Sequence, residues 1–217
     1  SLPGVREAGS FPMYFPPRGV PAGWNDGMNA AAFPFLHLLA RKFDAPVYSL
    51  YADAYAGSAS DRQNPRSDWH TLLWRSSEVE YVDSVEPSEV GDLPAPPALA
   101  SRLELETLKV YEEIRWAAMA SSWPHPELYV SFKSGYAIEG FGHMSLDLNA
   151  IQVIAGGEPL IRRSHDYRTP PEGYSTVLID GKAQQPATGT FLYWEEGERY
   201  RVIAAEADRS FGKEVNR

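Results

Sequence analysis

Leu148-Asn149-Ala150-Ile151-Gln152-Val153-Ile154-Ala155-Gly156-Gly157-Glu158-Pro159 decides the fold: a short apolar strand that runs into a glycine-rich turn. The same unit recurs on both sides of it. Upstream lies a strand candidate at Leu128–Lys133, and Leu103-Glu104-Leu105-Glu106-Thr107-Leu108 alternates with a period of two. Residues 109–120 fit either helix or strand by pattern. Downstream, Ser175–Asp180, Thr190–Trp194 and Arg199–Ala205 read as strands, separated by Asp180-Gly181-Lys182 and Glu196-Gly197-Glu198. Short strands with turn residues between them predict an antiparallel sheet or sandwich over residues 101–217.

The first 100 residues have another character. Residues 1–26 are rich in Pro and Gly and read as an extended lead-in. Over residues 27–43 the apolar positions 32, 35, 36, 39, 40 and 43 recur at helical steps, with Asn25 or Asp26 as cap. Pro34 either kinks this helix or marks its first turn. A second helix over 46–56 starts on Pro46, a first-turn position that suits proline. A third is expected from Trp69 to Arg75. Charges and prolines dominate residues 76–100, which read as a linker. Helices first and sheet second predict an α+β chain, with a helical segment over 1–100 and a β domain over 101–217.

Composition bounds the function. The 217 residues are 43% apolar and 23% charged, ordinary for a globular protein. No stretch is apolar for long enough to predict a membrane-spanning helix. The absence of cysteine excludes disulfides and thiolate metal sites. A formal net charge of −9 argues against a nucleic-acid partner, which needs a basic face. It leaves room for an anionic sugar held by a local basic cluster.

Three segments carry a resemblance. They are Met119-Ala120-Ser121-Ser122-Trp123 followed by Leu128-Tyr129-Val130-Ser131-Phe132-Lys133-Ser134-Gly135, then Gly142-His143-Met144-Ser145-Leu146-Asp147-Leu148-Asn149-Ala150-Ile151, then Tyr174-Ser175-Thr176-Val177-Leu178-Ile179-Asp180-Gly181-Lys182. In this order they resemble the motifs of the heparinase II/III-like polysaccharide lyases. Trp24-Asn25-Asp26-Gly27 and Leu36–Phe43 resemble, more loosely, the last helices of that family's incomplete α/α toroid. The family's toroid is far longer and its sheet continues further. The resemblance therefore implies an internal piece of a larger lyase-like protein, or a shortened relative. Family members are secreted or periplasmic, and they cleave uronate-containing glycans by β-elimination.

That reaction needs a neutralised uronate carboxylate, a base for the C5 proton and an acid for the departing O4. His143 matches the first His of the family motif, which faces the substrate cleft; the resemblance makes it base or carboxylate neutraliser. The plainer reading is a hydrogen-bonded histidine at a strand start. Tyr136 and Tyr167 are candidate substitutes for the family's catalytic tyrosine, although a buried core role suits each. Arg162, Arg163 and Arg168, with Lys133, are candidates for an anion site, since guanidinium matches planar carboxylates; a solvated rim is the alternative. Asp147 and Asn149 are further candidates for substrate binding; they would share a strand face with Ser145, and with His143 if the strand starts there, where Asp147 would either orient His143 or hold the turn. Where the resemblance would put the family's structural zinc ligands, this sequence has Ser145, the stretch Arg162–Ser164 and Tyr174, so no cofactor is expected. A rearranged site would draw on His143, Asp147 and His165. His37 reads as a core or helix-face histidine.

Two functions compete. One is a lyase, or the β portion of one, with an anionic polysaccharide or oligosaccharide as its partner. The other is a non-catalytic carbohydrate-binding or structural module of the same fold. A fragment would also expose apolar surface and a sheet edge, and would self-associate or bind the rest of its parent chain.

Overall fold

The structure, a computed structural model, describes residues 4–5, 9–15, 35–55, 105–123, 126–137, 145–162 and 171–212. The chain divides into two compact units. One comprises Ser1–Gly19 with Ala30–Leu105, the other Val20–Asn29 with Glu106–Arg217.

The first unit is helical where it is described. A single turn, α1 (Phe11–Tyr14), precedes α2 (Phe35–Phe43) and α3 (Pro46–Tyr55). Leu36, Leu39 and Ala40 are buried on α2, as their three- and four-residue spacing predicts. The helix stops where Asp44 turns left-handed (φ 49°) and the Ala45 N–H bonds back to the Ala40 carbonyl at 3.0 Å. That is a Schellman closure. Pro46 then opens α3 from a position where its missing N–H costs nothing. His37 is buried, with Nδ1 3.1 Å from Ser49 Oγ on α3, in keeping with a core histidine. The Tyr51 hydroxyl donates to the Pro12 carbonyl at 2.8 Å, tying α1 to α3. The predicted helix over Trp69–Arg75 and the linker over 76–100 lie outside the described residues. No described helix is long and apolar enough to cross a membrane.

The second unit is built from antiparallel strands: β1 (Leu108–Tyr111), β2 (Trp116–Ala120), β3 (Leu128–Lys133), β4 (Tyr136–Ala137), β5 (Ala150–Ala155), β6 (Glu158–Ile161), β7 (Ala187–Thr188), β8 (Thr190–Glu196) and β9 (Arg201–Glu206). Five of them form one sheet in the order β1-β2-β3-β5-β6. β4 pairs with β7, and β8 with β9. The stretch left open between helix and strand, residues 109–120, forms β1, a four-residue turn and β2. The Gly156-Gly157 turn joins β5 to β6 with both residues at positive φ (56° and 81°), the geometry that matches strand twist.

The two faces of the large sheet differ. Tyr129, Ser131 and Lys133 of β3 point one way, beside Ile154, Gln152 and Ala150 of β5, and all six are buried. Small residues on β2, Ala118 and Ala120, complete this face and let it pack closely. The opposite face carries Val130, Phe132, Ile151 and Val153, each half-buried. Onto it folds β8, whose Phe191 stacks against Phe132 with ring centroids 6.0 Å apart and planes at 20°. The arrangement is sandwich-like.

Two expectations are corrected here. Ser175–Asp180 is not a strand: Ser175 and Asp180 are left-handed (φ 49° and 52°), and only an isolated bridge, Ile179 to Lys182, forms. The hydroxyls of Ser175 and Thr176 donate to the carbonyls of Ile151 and Leu148, each at 2.6 Å, in place of a backbone ladder. Likewise β5 starts at Ala150 rather than Leu148, because Asn149 is left-handed at φ 54°. Asparagine tolerates that region better than most residues with a side chain. Ser145, Asp147 and Asn149 therefore do not share a strand face.

Candidate functional site

The segment entering β5 is held by side chains from three directions. Lys133, the last residue of β3, reaches Asp147 with Nζ 2.5 Å from Oδ1. Both side chains have 0% exposure. A lysine and an aspartate are almost never both sealed from water unless paired, because each alone carries a large desolvation cost. The Lys133 ammonium also lies 5.7 Å from the ring centroid of Trp116, its register partner on β2. A cation over an indole face gains further electrostatic attraction. The Asp147 N–H turns back to the Ser145 carbonyl at 3.0 Å.

One residue on from Asp147, Gln184 clamps Leu148. Its Oε1 accepts the Leu148 N–H at 2.7 Å, and its Nε2 donates to the Leu148 carbonyl at 2.9 Å and to Thr176 Oγ1 at 2.8 Å. A buried side-chain amide thus supplies the bonds that a neighbouring strand would have made. Ser134 Oγ then donates to Asn149 Oδ1 at 2.6 Å, and Asn149 Nδ2 reaches the Ala205 carbonyl of β9 at 3.4 Å. Lys133 and Ser134 are therefore consecutive anchors for Asp147 and Asn149. Gly135 follows because the chain passes close to the β1–β2 turn: a Cβ there would lie 2.3 Å from the Ile114 carbonyl oxygen. Each residue of Phe132-Lys133-Ser134-Gly135 thereby has a stated physical task.

Beside Asn149 is a pocket of about 250 Å³, walled by Leu148, Ile179, Gln184, Ala205 and Phe211, with Asp208 at its rim. It is shallow and of mixed polarity. Asp208 Oδ1 accepts the Arg209 N–H at 2.7 Å, so part of its capacity is used locally.

The candidate site residues fall into three groups. Lys133, Asp147 and Asn149 come together, as just described, with neither charge of the ion pair offered to solvent. Tyr136 and Arg162 are exposed. Tyr136 sits on β4, 49% exposed, with the Arg115 guanidinium 6.0 Å from its ring centroid; the expected buried core role does not hold for it. Arg162 lies just past β6, in the solvated position weighed for it. His143, Tyr167, Arg163, Arg168 and His165 lie outside the described residues, as do His70 and His125.

Ser145 and Tyr174 are both buried, at 4% exposure each. Neither a serine hydroxyl nor a tyrosine phenol is among the Cys, His, Asp and Glu donors that ordinarily hold a tetrahedral zinc. Among the described residues no three His, Asp or Glu side chains converge as metal ligands. The Tyr200 phenol lies in the β8–β9 turn. Its hydrogen bond to the Glu195 carboxylate, at 2.7 Å, holds it above the ordinary value of 10.0, with a smaller contribution from desolvation.

Sequence reasoning missed Gln184 and Ser134. Neither belongs to a residue type or spacing that marks chemistry; their roles follow from where the backbone of residues 145–149 needs partners.

No family model matches the chain, and no curated protein matches it.

Proposed function

We propose that this chain is the β-sheet portion of a heparinase II/III-like polysaccharide lyase, with α2 and α3 as the last helices of its toroid, and that it acts on uronate-containing glycans by β-elimination. One observation carries the reading. Two of the three segments that resemble the family meet through a buried ion pair, Lys133 of the first with Asp147 of the second. A motif pair whose charged members are each other's partner is coherent as one structural unit, which supports reading the two segments together. His143 stands four residues before Asp147 in that same unit.

On this reading Lys133 and Asp147 are positioning residues. They fix the segment that bears His143, as base or carboxylate neutraliser. Tyr136 and Tyr167 are the candidates for protonating the departing O4. Arg162, Arg163 and Arg168 are the candidates for holding the uronate. The C5 proton leaves to the base, the electron pair forms the C4–C5 double bond, and O4 leaves with a proton from the acid.

A second reading is favoured by the same pair's lack of exposure and by the hydroxyl side chains at Ser145 and Tyr174: a glycan-binding or structural module that keeps the fold without the chemistry. One assay separates the two. The chain is incubated with alginate, heparin-like and ulvan-like glycans while the absorbance of the new double bond is followed. Signal abolished by His143→Ala supports the lyase. Glycan binding with no absorbance change supports the module.

A further inference from the structure

The β8–β9 hairpin has an outward face that nothing in the lyase reading uses. Its composition follows from a bulge. Register slips between Phe191 and Tyr193, so Leu192 is extra and the inward and outward sets exchange parity. Phe191 and Trp194 consequently lie on one side, 6.2 Å apart, with Phe191 half-buried and Trp194 still 38% exposed. Glu196 joins them there, since it and Arg201 meet Thr107 at the start of β1. Tyr193, Glu195 and Glu206 are left facing out, with Val202 opposite Glu195 and Tyr200 at the turn.

Tyr193 and Tyr200 are 47% and 51% exposed. Tyr200 is held rigidly. Its ring lies over Gly197, where an added Cβ would come within 2.4 Å of Cε1, and its hydroxyl donates to Glu195. Two other exposed or half-exposed tyrosines of this unit carry a cation from the chain itself: Lys109 sits 5.9 Å from the Tyr111 centroid and Arg115 6.0 Å from that of Tyr136. Among the described residues Tyr193 and Tyr200 have no basic group over them. The strand positions of this face contribute two carboxylates, Glu195 and Glu206, and no Lys or Arg. In the turn, Glu198 and Arg199 offset each other. Among the described strands β8 and β9 pair only with each other, which leaves backbone edges for an added strand.

We propose that this face docks an extended, basic peptide segment, with its Lys or Arg side chains over Tyr193 and Tyr200 and against Glu195 and Glu206. Charge decides the occupant. Two carboxylates repel a polyanionic glycan, and they repel a second copy of the same face. Cations fit both the ring faces and the carboxylates.

Fluorescence anisotropy of a labelled decapeptide of alternating Lys and Ser, titrated with the full chain, tests this. Each outward ring lost is expected to weaken binding about 2- to 5-fold. The combined variant Tyr193→Ala, Glu195→Gln, Glu206→Gln is expected to lose about 10-fold or more. Glu112→Gln with Glu113→Gln, which removes two exposed charges from the β1–β2 turn, is expected to leave binding unchanged. Circular dichroism confirms that each variant is folded, and Glu195→Gln alone serves if the combined one is not. The proposal is overturned by any of three results: no binding, equal losses from the two sets of charge changes, or equal binding of a Glu-Ser decapeptide or of maltohexaose. The lyase reading is untouched by either outcome, since the assay reads no glycan cleavage.

Discussion

The buried face of the five-stranded sheet and the outward face of the β8–β9 hairpin invert the usual distribution of polarity. The first holds Lys133, Ser131, Gln152 and, beside it, Asp147, all fully enclosed; the second shows Tyr193, Tyr200 and Val202 to solvent. The difference teaches that partners decide burial in this protein. Every charge of the buried region has an opposite charge or an aromatic face against it. The hairpin's other side carries Phe191, a partly exposed Trp194 and the Glu196–Arg201 pair, and among the described residues no basic group lies over Tyr193 or Tyr200.

The comparison is broken most severely at the ion pair. Lys133→Ala leaves Asp147 buried without its cation and is expected to cost about 3–5 kcal/mol, read as a fall in urea midpoint. Lys133→Met combined with Asp147→Leu is expected to recover most of that loss, because the desolvation cost then vanishes from both sites. If the double variant is as unstable as the single one, mutual pairing is not what holds the segment.

Gln184→Ala comes next. It strips the Leu148 N–H and carbonyl of their side-chain partner and is expected to cost about 1–3 kcal/mol. Hydrogen exchange should show the Leu148 amide losing protection first. On the exposed side, Tyr193→Ala is expected to change stability by no more than about 0.5 kcal/mol. A loss as large as that of Gln184→Ala would mean that the ring is packed rather than presented.

The smallest effect is in pH. The Tyr200 phenol is held above 10.0 because its protonated form donates to Glu195. A raised pKa in the folded state means more bound protons there than in the unfolded chain, so this contribution is present below pH 10 and fades as pH rises through the folded value. Ultraviolet titration of the parent chain and of Glu195→Gln should differ by one tyrosine, whose ionisation moves back toward 10.0 in the variant.

Much of the sheet was legible in the sequence, and the reasons are local. Leu128–Lys133 is a short run bounded by turn residues on both sides, and Gly156-Gly157 can hardly be anything but a tight turn. Ser175–Asp180 misled because its apolar residues look like a strand while Ser175, Thr176 and Asp180 satisfy the backbone through side chains and left-handed turns. Lys133, Asp147 and Asn149 were singled out as candidate substrate-binding residues, and the contacts they make with one another's segments were not foreseen, since an ion pair between a strand end and a loop 14 residues later leaves no periodic trace. Tyr136 was expected in the core and stands outside it; neighbouring Ala137, fully buried, faces inward from β4 in its place.

The most direct test of the lyase reading is the mass of the products from a uronate glycan incubated with the full chain. β-Elimination predicts fragments whose masses sum to that of the substrate, one bearing a C4–C5 double bond, and their loss in His143→Ala. Fragments heavier by one water in total, the mark of hydrolysis, or an unchanged yield in His143→Ala, would contradict it.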